Sequence, residues 1–208
     1  MDEATQKRIA KLFEKWNSAQ AYLKASELIT EAAPVSAINE IRYAGRAFVD
    51  ALLMARGIPD TFSMQDESYK KDFLSALAVT EQYIDNAMHD VSDVMVYFYV
   101  SSLNSLMGRY GFNNTIDQDD DLRRALADIE EAKRLIVESR HDRRKREKNY
   151  ADVRIIVERM GEIYPKIQQG DLIQLIEKKR EKKKAAVVSV VIGLCGLVAG
   201  HLISFITP

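Results

Sequence analysis

A chain of 208 residues is long enough for one domain with a buried core, and its one cysteine, Cys195, excludes an intramolecular disulfide framework or a cysteine-rich metal site. Charged residues make up 29% of the chain at a net charge of only −1, with acid gathered at residues 117–121 and base in two later blocks. Local charge therefore says more about partners than the total does.

Apolar periodicity predicts helix over residues 2–31, broken at Pro34. Ser36 is placed to cap a second helix whose apolar or small positions, Ile38, Ile41, Gly45, Phe48, Leu52 and Ala55, step by three and four, and which ends at Gly57, Pro59 and Asp60. A long third helix begins near Asp66 and runs to about Arg109, with Phe73, Leu77, Ile84, Met88, Val91, Met95 and Phe98 on one face. Its far end is apolar all round, as expected of a stretch buried on several sides or held in a subunit interface.

A turn is expected at residues 111–114, followed by a fourth helix opening near the acidic run, where negative charge favours a helix N-terminus. Its stripe reads Leu122, Leu126, Ile129 and Ile136, lapses over residues 138–149, and resumes at Val153, Ile156, Met160 and Ile163 before Pro165 and Gly170. No segment alternates at period two for long enough to make a sheet. The expectation is an all-α helical bundle with long helices over residues 1–170, a basic juxtamembrane helix over 171–184, and one C-terminal transmembrane helix over 185–206.

That last segment carries no Lys, Arg, Asp or Glu and would extend roughly 33 Å as a helix, about the thickness of a bilayer core. The N-terminus lacks a signal-peptide core, and residues 178–184 are all basic except Glu181. Together these predict a single-pass membrane protein with its body cytoplasmic, its C-terminus outside and its basic flank against anionic lipid headgroups. Within the span Ala186, Ser189, Gly193, Gly196 and Gly200 share one helix face, and Gly196 and Gly200 make a GxxxG pair. Such a seam suits homo-oligomerisation, to a tetramer or higher, or the lining of a narrow pore; glycines in a monomeric anchor are the alternative. His201 reaches the headgroups or forms a titratable ring.

In the basic block, Arg140, Arg143, Arg144, Lys145, Arg146 and Lys148 form a dense positive surface suited to the phosphates of a nucleotide or oligonucleotide, the alternative being a solvated helix extension. Signals for catalysis are sparse. No HExxH, P-loop lysine, nucleophile elbow or zinc spacing occurs among the motifs, so neither a metal nor a cofactor is expected, and the chain reads as no enzyme. The weak candidates are Arg134 and His141, whose spacing resembles the arginine–histidine motif of HEPN-type ribonucleases, a resemblance that implies an arginine stabilising phosphate charge and a histidine transferring a proton.

Residues 37–52 resemble a helix of HEPN-like proteins, with Asn39, Glu40, Arg42 and Ala44 on the pattern and Ala47 where that family carries a histidine. The missing histidine implies a HEPN-like scaffold rather than a nuclease. In plan, a helical body with one terminal span, a small-residue seam and a basic surface is similar to the membrane effectors of bacterial antiphage systems, of the Hailong type. That resemblance implies an oligomeric ion channel of the bacterial inner membrane, gated by a nucleotide or oligonucleotide from a partner nucleotidyltransferase, whose opening depolarises the membrane in abortive infection. Two other classes remain open, a membrane-tethered ribonuclease using Arg134 and His141, and a non-catalytic anchored adaptor.

Overall fold

The computed structural model describes residues 3–56, 67–110, 120–169, 181–182, 184 and 188. The helices over these residues are α1 (Glu3–Thr30), α2 (Val35–Arg56), α3 (Glu67–Tyr110), α4 (Asp120–His141) and α5 (Arg146–Gln169), with a short 3-10 turn, Arg143–Lys145, between the last two. No strand occurs among the described residues. Contacts divide the chain into two compact units, Met1–Ser102 with Asp128–Arg159, and Leu103–Ala127 with Met160–Pro208.

The core of the first unit is set by a seven-residue repeat. Along α1 the buried positions are Thr5, Leu12, Ala19 and Ser26, each two turns after the last, with Ile9 and Trp16 packed at the margin. On α2 they are Ala37, Ala44 and Ala51, all fully buried, flanked by Ile41 and Phe48. Phe73, Leu77 and Ile84 of α3 complete the cluster. Seven residues fall just short of two full turns, so such a repeat keeps one narrow face turned toward its neighbours. Alanine on that face brings backbones close, and a Cβ added at Gly45 would lie 3.3 Å from Cη2 of Trp16. Phe13 and Phe48 meet edge to face at 5.2 Å on the rim.

This corrects the face expected for α2. The inward stripe is Ala37, Ala44 and Ala51, and Leu52 is 45% exposed, because the closest approach is made by the smallest side chains rather than by the aliphatic ones. Ser36 lies inside the helix rather than at its cap, since α2 starts at Val35 and the Ile38 amide already donates to the Pro34 carbonyl at 3.0 Å. Glu31 closes α1 with φ of 53°, the left-handed conformation that ends many helices.

Ion pairs fasten the helices at their edges. Lys15 of α1 donates to Asp85 at 2.7 Å and Glu81 at 3.2 Å on α3. Burial opposes the Lys15 charge, but these two carboxylates prevail and raise its pKa. Arg159 of α5 grips Asp128 of α4 through both carboxylate oxygens, at 2.6 and 3.1 Å. The apolar end of α3 is buried as expected at Met95, Val96, Tyr99 and Leu103, while Tyr97 faces outward. In the second unit Leu122, Ala125, Met160 and Ile167 are buried.

The expectations of a C-terminal transmembrane helix and of a single-pass inner-membrane location are corrected as follows. Among the described residues no helix is long and apolar enough to cross a membrane. Even in α3, the uncharged run between Asp93 and Arg109 is roughly 22 Å long, against a bilayer core of about 30 Å. Residues 185–206 lie outside the described residues but for Val188, and so do the seam positions Ala186, Ser189, Gly193, Gly196 and Gly200, His201 and the expected turn at 111–114.

Candidate functional site

The basic block was expected on one helix whose apolar stripe lapses. Instead it forms a corner, and Asp142 makes it. Asp142 leaves the helical conformation (φ −126°, ψ 98°), while its amide still donates to the Glu138 carbonyl at 2.8 Å as the last bond of α4. Its carboxylate accepts from the Arg144 amide at 3.0 Å, and its carbonyl accepts from the Lys145 amide at 3.1 Å. An aspartate at this position satisfies amides that the starting turn leaves without partners, which is why the chain breaks here. Hydrogen bonds from the Arg144 side chain and amide hold the Asp142 carboxyl below the usual carboxylate range, as does the Lys145 charge.

The six cations divide into two groups. Arg140 donates to Asp93 at 3.1 Å, Arg144 to Asp142 at 3.1 Å, and Lys145 is bonded to Glu138. Arg143, Arg146 and Lys148 make no ion pair among the described residues. Arg143 and Lys148 are exposed, and Arg146 lies half-buried with its guanidinium 6.0 Å from the centre of the Tyr150 ring. The positive end of the α5 dipole falls at this corner, partly offset by the negative end of α4.

Beneath the cations lies a polar layer. Asn149 is buried and donates to the Leu135 carbonyl at 3.3 Å, and the Ser139 hydroxyl donates to the same carbonyl at 2.8 Å, joining the start of α5 to α4. Tyr150 is buried and its hydroxyl donates to Asp93 at 2.9 Å, so both oxygens of Asp93 are in use, one by Tyr150 and the other by Arg140. Burial pushes the Tyr150 hydroxyl pKa up, and the neighbouring Asp93 charge adds to it.

Tyr150 stacks on His89, ring centres 4.1 Å apart and planes 27° off parallel. His89 is 1% exposed, and neither ring nitrogen has a hydrogen-bond partner among the described residues. Glu147 stands 3.4 Å from Nε2, close enough for an ion pair with a charged imidazole. Burial first, and then the positive charges of Arg146, Arg154 and Lys15, pull the His89 pKa down to about 3, so the ring is neutral at pH 7 and the contact is not an ion pair there. Glu147 is shifted upward, by burial and by the Asp85 charge.

Arg134 and His141 fall on the same face of α4, two turns or roughly 10 Å apart along its axis. Arg134 is held by Glu131 at 2.6 and 2.8 Å and by Glu138 at 3.2 Å, and these contacts, led by Glu131, raise its pKa further. Of the HEPN-like positions, Ala44 serves the helix contact and Glu40 accepts from Asn86 of α3 at 3.1 Å, while Arg42 is exposed. No group of three or more His, Cys, Asp or Glu side chains that would hold a metal occurs among the described residues.

Sequence reasoning found the cations but not Asp93, Tyr150, His89 and Glu147, since their contacts join distant parts of the chain: Asp93 lies 47 residues from Arg140 and 57 from Tyr150. The one local trace of them is His89 and Asp93, a single turn apart on α3.

No family model matches the chain, and no solved structure matches it. A curated protein, "RNA-directed RNA polymerase L" of Taro vein chlorosis virus, is 27% identical over 101 residues, which is 48% of this chain. The chain spans about 5% of the length of that protein.

Proposed function

We propose that the corner between α4 and α5 binds the phosphate groups of a nucleotide or short oligonucleotide, and that the chain acts there as a binding module rather than as a catalyst. One observation carries this reading: Arg143, Arg146 and Lys148 lie within six residues of the corner and make no ion pair among the described residues, whereas Arg140, Arg144 and Lys145 each have a carboxylate partner. Cations not committed to an ion pair are the ordinary means of holding phosphate, through charge-assisted hydrogen bonds and release of counterions. Against catalysis stands the engagement of Arg134 by two glutamates, which a phosphate would have to displace before that guanidinium could stabilise a transition state.

The test is fluorescence anisotropy with a labelled single-stranded RNA of about ten nucleotides, with ATP as competitor. The double variant Arg143→Glu with Lys148→Glu is expected to weaken binding by about tenfold or more, since each reversal replaces an attraction with a repulsion. Lys7→Glu with Lys11→Glu, on the exposed side of α1, makes the same change in net charge and is expected to leave the affinity within about threefold. Equal weakening by both pairs would mean that the protein responds to total charge and has no site at the corner.

A further inference from the structure

We infer that the basic corner is masked by the protein's own carboxylates: Asp93, Glu138 and Asp142 occupy on Arg140, Lys145 and Arg144 the positions that ligand phosphates would take, so that ligand binding proceeds by exchange of carboxylate for phosphate. This rests on the reading of the corner as a phosphate site, and it adds how that site is regulated.

The three carboxylates differ in how they are held. Asp142 is built into the backbone of the corner, where its oxygen accepts from the Arg144 amide, so its side chain has a structural task besides pairing. Glu138 sits on the surface of α4 and spans two cations, Lys145, whose pKa it raises, and Arg134 at 3.2 Å, which Glu131 holds more closely. Asp93 comes from α3, across the unit, and its Oδ2 meets Arg140 at 3.1 Å while its Oδ1 accepts from Tyr150 at 2.9 Å. The aspartate thus stays tethered to Tyr150 when Arg140 turns away to a phosphate, and the exchange needs no unfolding of the helix. Arg140 is 68% exposed on its side chain, with room to turn, whereas Asp93 is 30% exposed.

A carboxylate and a phosphate compete for a guanidinium on similar terms, because both offer planar or near-planar pairs of charged oxygens. Pairs as exposed as these contribute little each, so the mask sets a threshold rather than a block. A ligand presenting several phosphates at once exchanges several carboxylates together and overcomes it; one with a single phosphate gains only the three unmasked cations.

The experiment compares wild type with Asp93→Asn, Glu138→Gln and the double variant, using the labelled RNA and, separately, labelled ATP. Asparagine keeps an acceptor for Tyr150, and Glu138→Gln alters only the surface of α4; thermal melts establish that each variant is folded. The double variant is expected to bind about threefold or more tighter, with Asp93→Asn and Glu138→Gln each contributing. Glu14→Gln with Glu162→Gln makes the same change in net charge elsewhere and is expected to tighten binding by less than about twofold. Tightening specific to the corner supports the mask, and the probe that shows it identifies the ligand as a single nucleotide or a strand. Wild-type binding that the double variant leaves within about threefold overturns the mask and spares the site. Equal tightening by the control pair overturns it also, and absence of binding by every protein overturns both the mask and the site.

Discussion

At His89 an imidazole is buried among cations and stacked on Tyr150, with no hydrogen-bond partner among the described residues to recover what it loses on leaving water. Its pKa falls from 6.5 to about 3 on folding, through burial and then the charges of Arg146, Arg154 and Lys15. Above pH 6.5 both folded and unfolded chains hold the ring neutral, and its contribution is complete. Below 6.5 the unfolded chain takes up a proton that the folded chain does not, and stability falls by at most about 1.4 kcal/mol per pH unit until the folded pKa is reached. Glu147, shifted upward, acts in the opposite sense in the acid range and trims the loss. Urea unfolding at pH 7 and pH 5 is expected to show about 2 kcal/mol of His89-dependent loss in wild type, and His89→Leu is expected to remove most of that dependence. An unchanged pH slope in the leucine variant would show that the ring is not excluded from protonation. Nothing in the sequence announces this residue, because its surroundings come from α1 and α5 as well as from α3; a lone histidine between Met88 and Asp90 looks the same whether it is solvated or enclosed.

Among the elements, α2 shows where periodicity misleads. Steps of three and four fit the stripe Ile38, Ile41, Gly45, Phe48 and Leu52, yet the fold turns the helix so that Ala37, Ala44 and Ala51 face inward. Ranking by hydrophobicity alone selects the larger side chains, whereas close approach of helices selects the smaller ones. The two faces are separable by experiment. Ala44→Leu is expected to cost about 1–3 kcal/mol through overpacking, and Leu52→Ala to cost about 0.5 kcal/mol or less; reversed magnitudes in denaturant melts would restore the aliphatic face. The long helices themselves were legible, since α1, α3 and α4 begin and end within two residues of the limits read for them where limits were read, and Phe73, Leu77, Ile84, Val91 and Met95 are buried as their spacing requires. The corner between α4 and α5 was not, although Asp142 carried its signal: an aspartate inside a charged run reads as one more charge until its backbone angles are seen to cap the next turn. Pro165 did not end α5, which continues to Gln169.

For the molecule as a whole, the all-helical class was legible because neither a period-two stretch nor a turn-rich segment competes with it, and the basic block was legible because charge survives any choice of secondary structure. The pairing of that charge was not legible, as Arg140 finds Asp93 only through the packing of α4 and α5 against α3. The expected membrane span finds no counterpart among the described helices, all of which carry charged residues. What remains for the functional reading is a corner with three cations held by carboxylates and three that make no ion pair among the described residues.

The salt dependence of RNA affinity tests that claim most directly. If phosphates are held by the cations without ion pairs, the logarithm of the dissociation constant rises with the logarithm of salt concentration at a slope of at least about 2, as expected for roughly three phosphates on a single strand, and more where the carboxylate-held cations also exchange. Arg143→Glu with Lys148→Glu is then expected to remove at least about one unit of that slope. A slope near zero, or one that the two substitutions leave unchanged, would contradict phosphate binding at the corner.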